Sequence, residues 1–130
     1  MKKLNKNKGF TLVELIVVLA VMAVISSVAI PNFTNIKNKS KEKADNQTCE
    51  TIKRTVIMLL ADESIEGSEK TITYNANTKE IQGITDEKEK EHLKSALKEV
   101  KNPATDSSAS YKIIISNDET VNVDIDKKAI

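Results

Sequence analysis

The chain has 130 residues, enough for one modest domain, with 30% charged and 39% hydrophobic side chains and a formal net charge of +1. With three glycines, no tryptophan, two phenylalanines and two tyrosines, the core must be built from Ile, Val and Leu and will be small. Without residues 1–9 the balance becomes 16 basic and 19 acidic side chains, which argues against broad attraction to nucleic acid, and the lone Cys49 excludes an intramolecular disulfide.

These averages hide a division. Lys2, Lys3, Lys6 and Lys8 precede a run from Phe10 to Ile30 in which 17 of 21 residues are apolar, the exceptions being Thr11, Glu14, Ser26 and Ser27. As a helix the run would be about 31 Å long, close to the thickness of one hydrocarbon core. Three readings compete: a secretory signal peptide cut near the small residues Ser27-Val28-Ala29, a plain membrane anchor, or a membrane helix that later becomes an assembly surface. Glu14 separates them. A carboxylate at mid-bilayer costs ~2.5–3.5 kcal/mol, and less near one end of the helix. An anchor or a signal peptide has no use for it. No side chain within the run is basic, but cleavage after Gly9 would create an α-amine on Phe10. An unbranched residue at position 9 also suits a peptidase acting at the membrane surface.

The stretch KGFTLVELIVVLAVMAVISSVAIPN resembles the class III leader and N-terminal helix of type IV pilins and pseudopilins. The matching features are the short basic leader ending in Gly9, the aromatic Phe10, Thr11-Leu12-Val13-Glu14, the apolar run and Pro31 closing it. The likeness covers residues 6–36, and its motif is specific because all these features must coincide in order. It implies that a prepilin peptidase cuts between Gly9 and Phe10 and N-methylates Phe10. It further implies that Glu14 pairs with the Phe10 amine of a neighbouring subunit. In a dry helical bundle such a pair replaces an unpaired buried charge, which would cost several kcal/mol, and it selects one stagger between neighbours. The implied organisation is a leader (1–9), a transmembrane and assembly helix (10–30) and an extracytoplasmic globular domain (31–130) that includes the second half of the helix. The implied location is the cytoplasmic membrane, leader inside, and afterwards an extracellular pilus or cell-surface filament. The implied partners are other copies or related pilins, the prepilin peptidase and the pilus assembly machinery. Lysines tie on the two flanks, four in the leader against Lys37, Lys39, Lys41 and Lys43, so orientation rests on the resemblance.

Beyond Pro31, which removes one hydrogen bond and predicts a kink rather than an end, residues 32–43 read as an exposed lysine-rich neck. Cys49, Ile52, Val56, Leu59 and Leu60 then recur at helical spacing and predict a face packed on a sheet, with Gly67 as the stop. Cys49 falls on that face and reads as a small buried hydrophobe rather than a reactive thiol. Thr71–Asn75 and Lys79–Gln82 predict a hairpin turning at Asn75-Ala76-Asn77-Thr78. Thr85 or Asp86 should cap a helix over 86–102 with an apolar stripe of Leu93, Ala96, Leu97 and Val100. Asp86, Glu87 and Glu89 in its first turn read as a solvated helix start, not a catalytic pair. A second hairpin follows, residues 111–116 and 120–126 joined through Asn117-Asp118, with Val121, Val123 and Ile125 alternating as in a half-exposed antiparallel strand. These elements make an α+β chain, and the resemblance implies the same architecture, a type IV pilin-like fold: a long N-terminal helix whose second half packs on a small antiparallel sheet, with one further short helix.

No constellation for catalysis is legible. His92 stands alone on a charged helix, no phosphate loop or Cys/His metal set occurs, and Asp124 and Asp126 make a weak Ca²⁺ site at best. No cofactor or metal is expected, and no enzymatic activity. The leading function is a structural subunit polymerising into a type IV pilus. The rivals are a pseudopilin of a competence DNA-uptake apparatus, to which residues 30–50 bear a loose likeness, and one of a type II secretion apparatus. The lysines of the neck fit solvation of a filament surface better than DNA phosphates. Abundant Lys, Asn and Ile is compatible with an AT-rich Gram-positive source.

Overall fold

The computed structural model describes residue 9 and residues 11–127. Its elements are α1 (Leu12–Ala61), β1 (Lys70–Asn75), β2 (Glu80–Gln82), α2 (Glu87–Ala96), β3 (Ser110–Ile115) and β4 (Val121–Asp126). This is the expected helix, hairpin, helix, hairpin order. The chain divides into two compact units between Asn38 and Lys39.

In the first unit α1 runs through Pro31, which stands inside the helix. Proline lacks the N–H that would bond the carbonyl four residues back. Ser27, at that position, donates its hydroxyl to the Val24 carbonyl at 2.7 Å, and Thr34 donates to the Ile30 carbonyl at 3.2 Å. Residues 31–40 are exposed, as the polar neck predicts.

In the second unit the sheet is antiparallel throughout, in the order β2-β1-β3-β4. Register pairs Ile72 with Ile113, Tyr74 with Tyr111 and Ile115 with Val121, which lines apolar side chains along one face. Ile52 and Val56 of α1, Leu93 of α2 and Leu97 join that face in a single core, with Cys49, Leu59 and Leu60 partly buried against it. The helical spacing read from the sequence is thus the packed face. Gly83, at φ +97°, carries the chain out of β2 close beneath β1, where an added Cβ would lie 2.1 Å from the Thr71 carbonyl oxygen.

Two element ends differ from expectation. Gly67 does not stop α1. Glu63 does, at φ 61°, with its amide bonded to the Leu60 carbonyl at 3.2 Å and the Ser64 amide to the Leu59 carbonyl at 2.9 Å. This is a Schellman ending built on a glutamate in the left-handed region. The second helix closes at Ala96, not near residue 102. Side-chain donors from other elements reach carbonyls of the segment that follows it. Tyr74 Oη donates to Leu97 O at 2.9 Å, Lys79 Nζ to Lys98 O at 2.9 Å, and Tyr111 Oη to Lys101 O at 2.7 Å. Of the two candidate caps, Asp86 is the one used, accepting from the Lys88 amide at 2.8 Å. Glu89 does more than start a helix in solvent: it accepts from the Glu66 amide at 2.7 Å and pairs with Lys70 at 3.4 Å.

Candidate assembly surface

The N-terminus of α1 begins with a reciprocal pair. The Glu14 amide donates to Thr11 Oγ1 at 3.1 Å, and the Thr11 amide donates to Glu14 Oε2 at 3.4 Å. This is a capping box, Thr-x-x-Glu, in which each side chain satisfies an amide the helix cannot. The Thr-x-x-Glu spacing is visible in the sequence. The Glu14 carboxylate serves the helix start and is exposed. Gly9 is exposed too, and among the described residues nothing lies within 4 Å of a Cβ placed there. Phe10 lies outside the described residues.

From Leu12 to Ile30 the helix is apolar on all sides, interrupted by Glu14, Ser26 and Ser27. Its large hydrophobic side chains up to Ile36 are all exposed, from Val21 at 51% to Leu12 at 73%. The segment is long and apolar enough to cross a membrane. A contiguous apolar surface of this extent marks a site of contact with lipid or protein.

The second unit buries a different carboxylate, which the sequence did not flag. Asp45 is 4% exposed and accepts from the Ala104 amide at 2.6 Å, the Thr105 amide at 3.0 Å and the Thr105 hydroxyl. Burial by itself would raise its pKa. The Thr105 hydroxyl and the two amides outweigh burial and hold the carboxyl below the usual 3.8. Asp45 thereby ties α1 to the segment between α2 and β3. Tyr111 is pushed up to about 12 by burial, with the nearby Asp45 adding to it. Cys49 is a free thiol, half-buried, and burial pushes it up as well. A raised thiol is a poor nucleophile at neutral pH. His92 is exposed. Asp124 accepts from the Ile125 amide at 2.8 Å, and no group of three or more metal-ligating side chains gathers among the described residues.

Comparison with known proteins agrees with the geometry. Residues 4–30 match the prokaryotic N-terminal methylation motif. Prepilin peptidase-dependent protein A of Clostridium perfringens is 42% identical over 125 residues, covering 95% of this chain and 88% of the relative. The type IV major pilin protein PilA of Myxococcus xanthus is 43% identical over 37 residues, 28% of this chain and 17% of the pilin. The type II secretion system core protein G of Vibrio cholerae is 41% identical over 51 residues, 39% of this chain and 32% of the relative. No solved structure matches the chain significantly.

A long apolar-started helix, an antiparallel sheet and a methylation motif define a pilin-like subunit. The chain belongs to the type IV pilin and pseudopilin family.

Proposed function

We propose that the protein is a structural subunit of a type IV pilus. It enters the cytoplasmic membrane as a single-pass chain with residues 1–9 inside. Prepilin peptidase cuts between Gly9 and Phe10 and N-methylates Phe10. Residues 10–30 then leave the lipid to form the filament interior, where Glu14 meets the Phe10 amine of a neighbouring copy, and Pro31 lets the helix bend. Residues 31–130 form the extracytoplasmic part. The observation that carries this reading is the apolar helical surface from Leu12 to Ile30, whose large hydrophobic side chains are all exposed and which is opened by one acid. Lipid can cover it before assembly and other copies afterwards. Its partners in this reading are copies of itself or related pilins, the peptidase and the assembly machinery, and it has no catalytic step.

Mass spectrometry of the mature chain tests the processing: an N-terminus at methylated Phe10 is expected, and one at Ile30 would mean an ordinary signal peptide. Filament counts by electron microscopy test the pairing. Glu14→Ala should insert and be cut normally but assemble poorly, because a buried amine left unpaired costs ~3–5 kcal/mol. Glu14→Gln should be milder. Thr11→Ala separates charge pairing from capping, since it breaks the box but keeps the carboxylate. If Thr11→Ala abolishes filaments as fully as Glu14→Ala does, the helix start is what matters and the charge pair is lost as an explanation.

A second reading, a pseudopilin, is favoured by the 51-residue likeness to a secretion core protein. Long filaments in sheared surface fractions at native expression support the pilus. Their absence, together with a defect in secretion or DNA uptake on deletion, supports the pseudopilin.

A further inference from the structure

Within the second unit, β4 is an edge of the sheet. It pairs with β3 on one side, and no other described strand lies on its other side. The Ser116 amide bonds the Thr120 carbonyl at 2.9 Å, so in this antiparallel register Asn122, Asp124 and Asp126 turn their backbone groups toward β3. Val121, Val123 and Ile125 turn theirs outward. A row of outward backbone donors and acceptors is a template for another strand. The side chains make the edge more inviting still. Val123 and Ile125 pack against the core but are only partly buried, so an added strand would cover them. The six residues alternate β-branched and polar side chains and include no proline or glycine.

We propose that Asp124 and Asp126 guard this edge against pairing with a second copy of the chain. Two observations carry the inference. The first is that the outward amide of Ile125 is already engaged, donating to Asp124 Oδ1 at 2.8 Å. An arriving strand must displace a carboxylate, which is a stronger acceptor than the carbonyl it brings. The second is the placement of charge. Asn122, Asp124 and Asp126 share the face of β4 turned away from the core. If two β4 edges met antiparallel, Asp124 would stand opposite or diagonal to its own counterpart, and like charges so placed destabilise a strand pair. Inside its own sheet Asp124 lies across from Lys112, so the acid is favourable at home and unfavourable only across the edge. The other edge strand, β2, is three residues long and exposes Glu80, so joining β4 to it also sets acid beside acid. Copies gathered in a pilus or in a pseudopilus would crowd these edges, and the guard serves equally in both readings.

The test uses the full chain in detergent micelles, which cover the apolar run whether or not the chain spans a bilayer. Sedimentation reads association, and amide exchange, resolved by residue, reads the edge itself. One altered protein carries Asp124→Thr and Asp126→Thr, which remove both acids and keep strand propensity. A second carries Asp124→Asn alone, which keeps the size and an oxygen for the Ile125 amide but removes one charge. A control carries Glu87→Gln and Glu91→Gln, which remove two exposed acids from α2, away from the edge. In the unaltered chain the Val121 and Val123 amides should exchange rapidly at every concentration. The threonine protein should associate at least about fivefold more tightly, with those two amides becoming protected as concentration rises. The asparagine protein should show the same change more weakly, and the control should behave as the unaltered chain does. A folded threonine protein that leaves Val121 and Val123 unprotected overturns the proposal. Where threonine disturbs the fold, a folded Asp124→Asn protein with no gain in association does the same. Equal association of the α2 control would assign the effect to net charge rather than to the edge, and protection of Val121 and Val123 in associated unaltered chains would make the edge an interface instead of a guarded border.

Discussion

Leu19 and Ile52 belong to one helix and are nearly the same size, yet Leu19 is 63% exposed and Ile52 is wholly buried. Their surroundings make the difference. Ile52 falls on the face that meets Ile72, Tyr74, Tyr111 and Ile113, and its flanking residues are polar. Leu19 has apolar neighbours on every side of its helix. The second unit buries most of its apolar side chains against its own sheet, leaving Ile57 and Met58 exposed on α1, and buried polar groups there find partners in the chain: Asp45 on Ala104 and Thr105, Tyr74 on Leu97, Tyr111 on Lys101. The first stretch leaves that task to something outside the chain. One helix thus carries a self-sufficient half and a dependent half.

Separating the halves tests this contrast most severely. Residues 32–130, produced without the apolar run, should be soluble and monomeric by sedimentation, with helix and strand content retained. A stable oligomer would move the assembly surface into the second unit. An unfolded fragment would show that the Ile/Val core does not stand alone.

Within that fragment, Gly83→Ala should be the most damaging single change. Its φ of +97° strains any L side chain, and the new Cβ would fall 2.1 Å from the Thr71 carbonyl oxygen. The backbone must shift where β1 and β2 pair. A loss of about 3 kcal/mol or more is expected in urea unfolding. A loss under about 1 kcal/mol would mean that the β2 end is loose and outside the cooperative core.

Asp45→Asn should cost less, about 2 kcal/mol at neutral pH, because a charge-assisted acceptor of two amides and a hydroxyl becomes a neutral one. The sign with pH follows from the lowered pKa. The folded chain binds the Asp45 proton less readily than the unfolded chain does, so its contribution is full above 3.8 and fades as pH falls through the folded value. The difference between the two proteins should therefore shrink in acid. A gap independent of pH would mean that shape rather than charge holds the segment around Thr105.

Which of these features the sequence announces depends on the range of the interaction. Periodicity located the packed face of α1, the alternation of β4 and the hairpin at Asn75, because each is set by neighbouring residues. The turn there is local as well: Asn75 Oδ1 accepts from the Asn77 amide at 2.9 Å. Asp45 was not legible, since its partners lie 59 and 60 residues away and one aspartate in a polar stretch carries no pattern. The early end of α2 was hidden for the same reason, since the side chains that bond the carbonyls just beyond it come from β1, β3 and the hairpin turn. The capping box of Thr11 and Glu14 was local and readable, but the cost of a carboxylate near lipid directed attention to a partner elsewhere. At the other end of the helix, Gly67 looked like the stop because glycine is the usual left-handed residue, and the chain uses Glu63 instead.

That substitute offers the smallest prediction. A non-glycine residue at the left-handed position of a Schellman ending carries steric strain of about 1 kcal/mol, which glycine does not. Glu63 is exposed, so its side chain adds little packing in return. Glu63→Gly should therefore stabilise the 32–130 fragment by somewhat less than 1 kcal/mol, after the greater freedom of glycine in the unfolded chain is set against the relieved strain. In a fragment of this size that is a rise in Tm of a few degrees. Glu63→Ala separates strain from charge, because alanine removes the carboxylate but keeps the Cβ. Alanine should leave Tm near its starting value, and glycine should raise it. Lys79 sits at the same φ of 61° but donates its ammonium to Lys98 O, so Lys79→Gly should lose more than it gains. If Glu63→Gly and Glu63→Ala shift Tm equally, the left-handed geometry is not the source of the effect, and the helix end is held by its carbonyl bonds alone.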